Sequence, residues 1–97
     1  MPKLPCVYIV SNRRHGTLYV GVTSNLIQRI WQHKNKVSGG FTARYNLDKL
    51  MWYEMHESME SAIAREKQLK AGSRARKIRL IEAENPQWED LYEEVMG

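Results

Sequence analysis

The sequence predicts an α+β fold: a three-stranded, mainly antiparallel sheet flanked by helices, in the order β-β-α-β-α-α-α. Three observations predict it. Apolar residues alternate at period two near the start, an almost continuous apolar run covers positions 50–55, and the other stretches have helical spacing with cap residues. The chain has 97 residues, the size of one domain, so we expect a single domain over residues 1–97.

The strands are predicted first. Alternating apolar residues indicate two half-buried strands joined by the polar loop 11–16, and these residues are Val7, Ile9, Leu18, Val20 and Val22. With those side chains facing the core, Tyr8 and Tyr19 share the opposite face of the hairpin. The run LMWYEM at 50–55 predicts a third strand that is packed on both faces.

A first helix is predicted after the hairpin. The hydroxyls at 23–24 can accept bonds from the free amides of a first turn, and the helical pattern ends near Val37. Arg29 and His33 are four residues apart, so they project from the same side of this helix. Residues 38–47 show little periodicity and are predicted to form an ordered loop.

Three more helices follow the third strand. Ser58 as a cap and Gly72 as a stop predict a helix over 59–71, and a further helix covers about 73–84. Asn85-Pro86 is read as a new cap with proline at the first helical position, which predicts a short last helix.

Charge is distributed unevenly along the chain. The net charge is +4, but residues 65–79 hold seven basic side chains and only one acid, Glu66, whereas the end of the chain from Glu82 is acidic. A basic cluster suits a polyanion, most commonly phosphate. The alternative is a solvated helix face whose charges pair with the acidic tail, and the charge pattern alone leaves both open.

Several classes of protein are excluded by what the sequence lacks. It contains no phosphate-cradling glycine loop, no pair of metal-spaced cysteines and no Ser-His-Asp signal. Cys6 is the only cysteine, which excludes an internal disulfide and fits a cytoplasmic location. No run is long enough for a membrane helix, and no secretory signal is expected.

The chemistry-bearing residues match the needs of phosphodiester cleavage. That reaction needs a base for water, a cation for the charge on phosphate, and a metal for the leaving oxygen. Glu66 is either a surface salt-bridge partner of Lys70 or a lone carboxylate ligand for Mg²⁺. Each of the other candidates also has an ordinary role in packing or on the surface, and they are Tyr8, Tyr19, Arg29 and His33.

These residues resemble the site of the GIY-YIG nuclease family. The two family triplets correspond to residues 6–8 (CVY) and 19–21 (YVG), and Arg29, His33 and Glu66 follow in the family's order. The segments AIAREKQLK and NPQWEDLY are similar to those of its small stand-alone bacterial members. The first triplet departs from the pattern by having cysteine where glycine is typical.

The resemblance implies a divalent-metal-dependent endonuclease that hydrolyses DNA, with structure rather than sequence selectivity and a role in repair or recombination. Glu66 would bind Mg²⁺ or Mn²⁺, and Arg29 would stabilise the transition-state charge. Either Tyr19 or His33 would be the base, with Tyr8 in support. Two alternatives are a non-catalytic nucleic-acid-binding or adaptor protein with the same fold, and a protein-interaction module that uses the acidic C-terminal helix.

DNA contacts are expected from the chain's own basic residues, because no appended DNA-binding domain is expected, although a protein partner could supply further specificity. Contacts to phosphates hold the backbone without reading bases. The candidates are Lys34, Lys36, Arg44, Lys67, Lys70, Arg74, Arg76 and Lys77. Phe41 and Tyr45 are expected either to stack on exposed bases or to anchor their loop.

Overall fold

A computed structural model describes residues 4–37 and 39–97 of the chain. The strands are β1 (Cys6–Ser11), β2 (Leu18–Thr23) and β3 (Lys49–Met55). The helices are α1 (Leu26–Lys34), α2 (Gly40–Arg44), α3 (Met59–Ala71), α4 (Arg74–Glu84) and α5 (Tyr92–Met96). The strands form one antiparallel sheet in the order β2-β1-β3, which confirms the predicted α+β class. Within the described ranges, no helix has the length and apolarity needed to cross a membrane.

β1 is the central strand, and all six of its residues are buried. The prediction of a half-buried strand was therefore wrong for β1, because helices cover both faces of the sheet. One face packs against α3 and α4, through Val7, Ile9, Val20, Ala62, Leu69 and Ile81. The other face packs against α1 and α5, through Tyr8, Val10, Leu26, Ile30 and Val95. The predicted alternation is confirmed, because Tyr8 and Tyr19 belong to the second face.

The two ends of α3 agree with the prediction from the sequence. The side chain of Ser58 accepts a hydrogen bond from the amide of Ser61, and Gly72 ends the helix. The start of α1 differs from the prediction. Asn25 is its cap, accepting from the amide of Gln28, while the hydroxyl of Thr23, two residues before the cap, accepts from the amide of Asn25. α1 also ends at Lys34, three residues before the predicted end at Val37.

The segment 38–47 was predicted to be a loop, but it contains the short helix α2. Residue 38 lies outside the described residues. Gly39 and Gly40 have φ of 61° and 68°, a left-handed conformation that favours glycine. α2 has only five residues, Gly40–Arg44, which are too few to show a helical period in the sequence.

Asn85 does not cap a helix that starts at Pro86, so that prediction was wrong. Asn85 ends α4 and points inward, where its amide donates to the carbonyls of Met51 and Glu89. The main-chain amide of Leu91 donates to the carbonyl of Leu50, so the segment after Asn85 covers the outer edge of β3. The last helix is therefore reduced to α5, which begins at Tyr92.

Candidate active site

A cavity of about 300 Å³ opens where the β1–β2 hairpin, α1, α2 and α3 meet. The side chains that line it are mostly polar. All five residues predicted from the sequence to take part in catalysis are among them: Tyr8, Tyr19, Arg29, His33 and Glu66. The fold thus brings together residues that span 59 positions of the chain.

The local structure explains how each side chain reaches the cavity. In the β1–β2 register, Tyr8 is opposite Gly21 and Val10 is opposite Tyr19, so the two tyrosines lie two positions apart on one face. Arg29 and His33 are one turn apart on α1. Glu66 comes from α3, which packs on the sheet beside the edge strand β2 and so reaches the same cavity.

Gly21 makes room for the ring of Tyr8. A Cβ atom at this position would lie 2.4 Å from the hydroxyl oxygen and from the Cζ of Tyr8. Because real Cβ atoms do not approach other atoms so closely, a side chain here would displace the phenol. The glycine of the second triplet is therefore required by packing inside the site.

Tyr8, His33 and Thr42 form a buried hydrogen-bonded chain. The hydroxyl of Tyr8 is 2.8 Å from Nε2 of His33, and Nδ1 of His33 is 3.1 Å from the hydroxyl of Thr42. All three side chains are buried. Thr42 was not among the residues predicted from the sequence, since this part of the chain was predicted to be a loop without periodicity. Thr42 could have been predicted to lie beside His33 only if α2 had been recognised as a helix.

Burial determines the protonation states of Tyr8 and His33. Burial first, and the charge of Arg29 second, lower the pKa of His33 to about 4, so its imidazole is neutral at pH 7. Burial raises the pKa of Tyr8 well above its usual range, although Arg29 opposes the shift. Tyr8 is therefore a protonated phenol and His33 a neutral imidazole, and both ring nitrogens of His33 already have partners.

Tyr19 lies nearer the surface than Tyr8. Its ring meets the ring of His33 edge-on, with 6.3 Å between centroids, and Nζ of Lys70 lies 5.4 Å from the centroid of Tyr19. Arg29 is half-buried beside them. Tyr19 therefore faces the cavity with cationic groups nearby and a surface that solvent can reach.

The residues present fit a largely hydrated Mg²⁺ ion. Oε2 of Glu66 is 3.3 Å from Nζ of Lys70, so the carboxylate makes the predicted salt bridge and also lines the cavity. Over residues 4–37 and 39–97, no three His, Cys, Asp or Glu side chains are grouped as metal ligands. A single carboxylate in a polar cavity suits Mg²⁺, which keeps several waters, and does not suit zinc, which takes three or four protein ligands.

Four of the predicted DNA-binding residues form ion pairs or hydrogen bonds with other residues of this chain. Lys34 pairs with Asp90, Lys70 with Glu66, Arg74 donates to the carbonyls of the β1–β2 loop, and Lys77 donates to a carbonyl at the end of α3. The other four side chains are exposed, and they are Lys36, Arg44, Lys67 and Arg76. A separate groove of about 360 Å³ lies between α3 and α4 and is lined by Arg65, Arg76, Lys77 and Arg79 among others.

The fold and this cavity define a small α+β domain with a polar cavity between its sheet and its helices. The chain belongs to the GIY-YIG family, because the family model for the GIY-YIG catalytic domain matches residues 4–79. The resemblance drawn from the sequence is thus confirmed.

Relatives of similar size fit this assignment. A UPF0213 protein of Syntrophus aciditrophicus is 39% identical over 75 residues, which cover 73% of this chain and 82% of that protein. The UPF0213 protein CPE1444 of Clostridium perfringens is 32% identical over 89 residues, covering 92% of this chain and 95% of that protein. A larger protein of Podospora anserina, named structure-specific endonuclease subunit SLX1, is 43% identical over 56 residues, covering 57% of this chain and 16% of that protein. No solved structure gives a significant match.

Proposed function

We propose that this protein is a divalent-metal-dependent endonuclease that hydrolyses phosphodiester bonds in DNA, selecting structure rather than sequence. The observation that carries the proposal is the convergence of Tyr8, Tyr19, Arg29, His33 and Glu66 on one polar cavity. A binding protein has no need for a carboxylate among cations at the place where a phosphate would enter. DNA repair or recombination is the process in which such an activity fits.

Each side chain has a role that its surroundings support. Arg29 stabilises the negative charge that builds on the phosphate. Glu66 holds Mg²⁺ or Mn²⁺, which when bound stabilises the leaving oxygen. Because both nitrogens of His33 are engaged inside the protein, we assign the contact with the attacking water to Tyr19. His33 stays neutral and acts as a positioning residue, because its hydrogen bond holds the phenol of Tyr8 in the cavity.

Among the relatives, the name of the Podospora protein supports the selectivity we propose. That protein is named a structure-specific endonuclease and also a subunit. The word "structure-specific" supports cleavage at particular DNA structures. The word "subunit" supports a protein partner that adds specificity. The exposed basic side chains would hold the DNA backbone, with a salt-sensitive affinity.

The proposal is tested by a cleavage assay on plasmid, branched and single-stranded DNA with Mg²⁺ or Mn²⁺. We expect Glu66→Gln and Arg29→Ala each to lower the rate by at least about 100-fold, the typical loss when one charge-stabilising group is removed. The matched control is Glu60→Gln, which neutralises an exposed carboxylate in the first turn of the same helix. Its rate should equal that of the wild type.

Two results would contradict the proposal. Cleavage that survives Glu66→Gln would mean that the assigned cavity is not the active site. Wild-type protein that binds DNA but cuts none of these substrates with either metal would favour the alternative, a non-catalytic nucleic-acid-binding or adaptor protein with the nuclease fold.

A further inference from the structure

Two aromatic rings are exposed beside the cavity, one within α2 and one directly after it. Phe41 is 50% exposed and Tyr45 is 42% exposed, and their ring centroids are 4.7 Å apart. The guanidinium of Arg44 lies 5.6 Å from the ring of Tyr45. Exposed aromatic rings that are clustered and flanked by a cation are typical of binding surfaces rather than of an ordinary solvated face.

Phe41 lines two cavities. Together with Tyr19 it lines the candidate active site and also a second cavity of about 330 Å³. The floor of the second cavity is apolar, from Leu18 and Val20, and its cationic groups are Lys70 and Lys77. An apolar and aromatic surface with cations at its rim matches a nucleotide, which has a planar base and an anionic phosphate.

The position of Phe41 is fixed by its neighbours. Thr42, the next residue, is buried and contacts His33, so α2 is tied directly to the candidate active site. Gly39 and Gly40 have positive φ and turn the chain into α2. Tyr45 packs behind Phe41 one helical turn later. The ring of Phe41 is thus held beside the reacting groups while half of its surface stays open to solvent.

We propose that Phe41, backed by Tyr45, is a stacking platform for an unpaired DNA base next to the phosphate that is cleaved. The proposal rests on the proposed function and specifies its substrate. A base within a continuous duplex has both faces covered by its neighbours, so a base that lies on Phe41 has left the continuous stack, as an unpaired base has. Lys70 and Lys77, which line the second cavity, would supply positive charge to the phosphates next to that base.

The test measures binding without cleavage. Fluorescence anisotropy in EDTA gives the affinity for a short single strand of mixed sequence and for copies of it in which one base at a time is removed to leave an abasic site. For the wild type, we expect removal of the stacked base to weaken binding by roughly fivefold to 150-fold, the equivalent of about 1–3 kcal/mol per stacked base. For Phe41→Leu, which keeps an apolar side chain, the same removal should change affinity by less than about twofold.

Matched variants separate stacking from a general effect on the fold. Trp31→Leu removes an aromatic ring that is equally exposed, at 50%, but lies on α1 and lines neither cavity, so it should respond like the wild type. Phe41→Trp should still lose affinity when the stacked base is removed, as the wild type does. If Phe41→Leu does not fold, Tyr45→Leu takes its place, with a weakened response expected and an unchanged one contradicting the proposal.

The proposal is overturned if no abasic position weakens wild-type binding, or if Phe41→Leu responds as strongly as the wild type. The second result would show that Phe41 only anchors α2. Because the assay contains no metal, its outcome is independent of cleavage. A base-dependent response in a protein that never cuts DNA would support the platform while contradicting the proposed nuclease activity.

Discussion

The hydroxyl of Tyr8 and Nε2 of His33 lie 2.8 Å apart in the interior, where they join the central strand to α1. The hydroxyl of Thr42 extends this contact to α2. One imidazole therefore links three elements, and each of its nitrogens has a partner. Such a link is useful only while the ring is neutral, because a buried imidazolium next to Arg29 would be costly.

Stability should depend on pH through His33. Its pKa is lowered to about 4 in the folded protein, against about 6.5 when unfolded, so the unfolded chain binds the proton first as pH falls. The stabilisation by neutral His33 is complete above about pH 6.5 and is lost as pH falls through about 4. Urea unfolding should show a loss of about 2 kcal/mol between about pH 7 and pH 4.5 from this group alone.

The contribution of His33 is isolated with His33→Gln, whose side chain does not titrate. Carboxylates titrate in both proteins, so the quantity to compare is the difference in unfolding free energy between wild type and variant at each pH. That difference should shrink on acidification. A difference that stays constant over this range would show that His33 is not held neutral by the fold.

Gly21→Ala should displace a side chain of the candidate active site. The new methyl group would overlap the ring of Tyr8, so the phenol must move away from His33. We expect a loss of about 1–3 kcal/mol in unfolding free energy, as for other overpacked cores, and a lower cleavage rate. Gly72→Ala is the control, because its Cβ would meet no atom closer than 3.5 Å. Equal stability of the two variants would contradict this account.

Substitutions at Arg74 and Arg76 should have different effects, because Arg74 stabilises the fold and Arg76 is expected to bind DNA. The guanidinium of Arg74 donates to the carbonyls of His15 and Gly16, at 2.8 and 2.7 Å, and so ties α4 to the β1–β2 loop. Arg74→Ala should therefore lower the unfolding free energy by about 1 kcal/mol. Arg76 is exposed, and Arg76→Ala should leave stability within about 0.5 kcal/mol of the wild type.

The two arginine variants are then compared in DNA binding at low and high salt. Arg76→Ala should weaken binding and reduce the salt dependence, because one phosphate contact fewer releases fewer counterions. Binding by Arg76→Ala that matches the wild type at every salt concentration would remove Arg76 from the DNA surface.

Asn85→Ala should destabilise the protein because the side chain is buried and fully used. Its amide donates to Met51 and Glu89, and its oxygen accepts from the amide of Glu89. Calorimetry should show a loss of about 1–3 kcal/mol, since buried carbonyls would lose their partners. Asn35→Ala removes an exposed amide that donates to one carbonyl, and it should cost less than about 0.5 kcal/mol. Similar losses for both would be incompatible with a structural role for Asn85.

The sequence could predict whatever depends on local spacing. The bounds of α3 follow from Ser58 and Gly72, since capping and termination are decided by neighbouring backbone groups. The shared face of Tyr8 and Tyr19 follows from the period of two in strands. The family, and with it the five candidate site residues, could be read from residue types in a fixed order along the chain.

Tertiary structure alone decided how those residues are surrounded. Burial on both faces of β1, the inward turn of Asn85 and the contact of Thr42 with His33 join segments that are far apart or lack periodicity. The neutral state of His33 is likewise a result of burial and of Arg29 nearby. Local spacing cannot encode these properties, because desolvation and hydrogen bonding depend on every element that packs around a side chain.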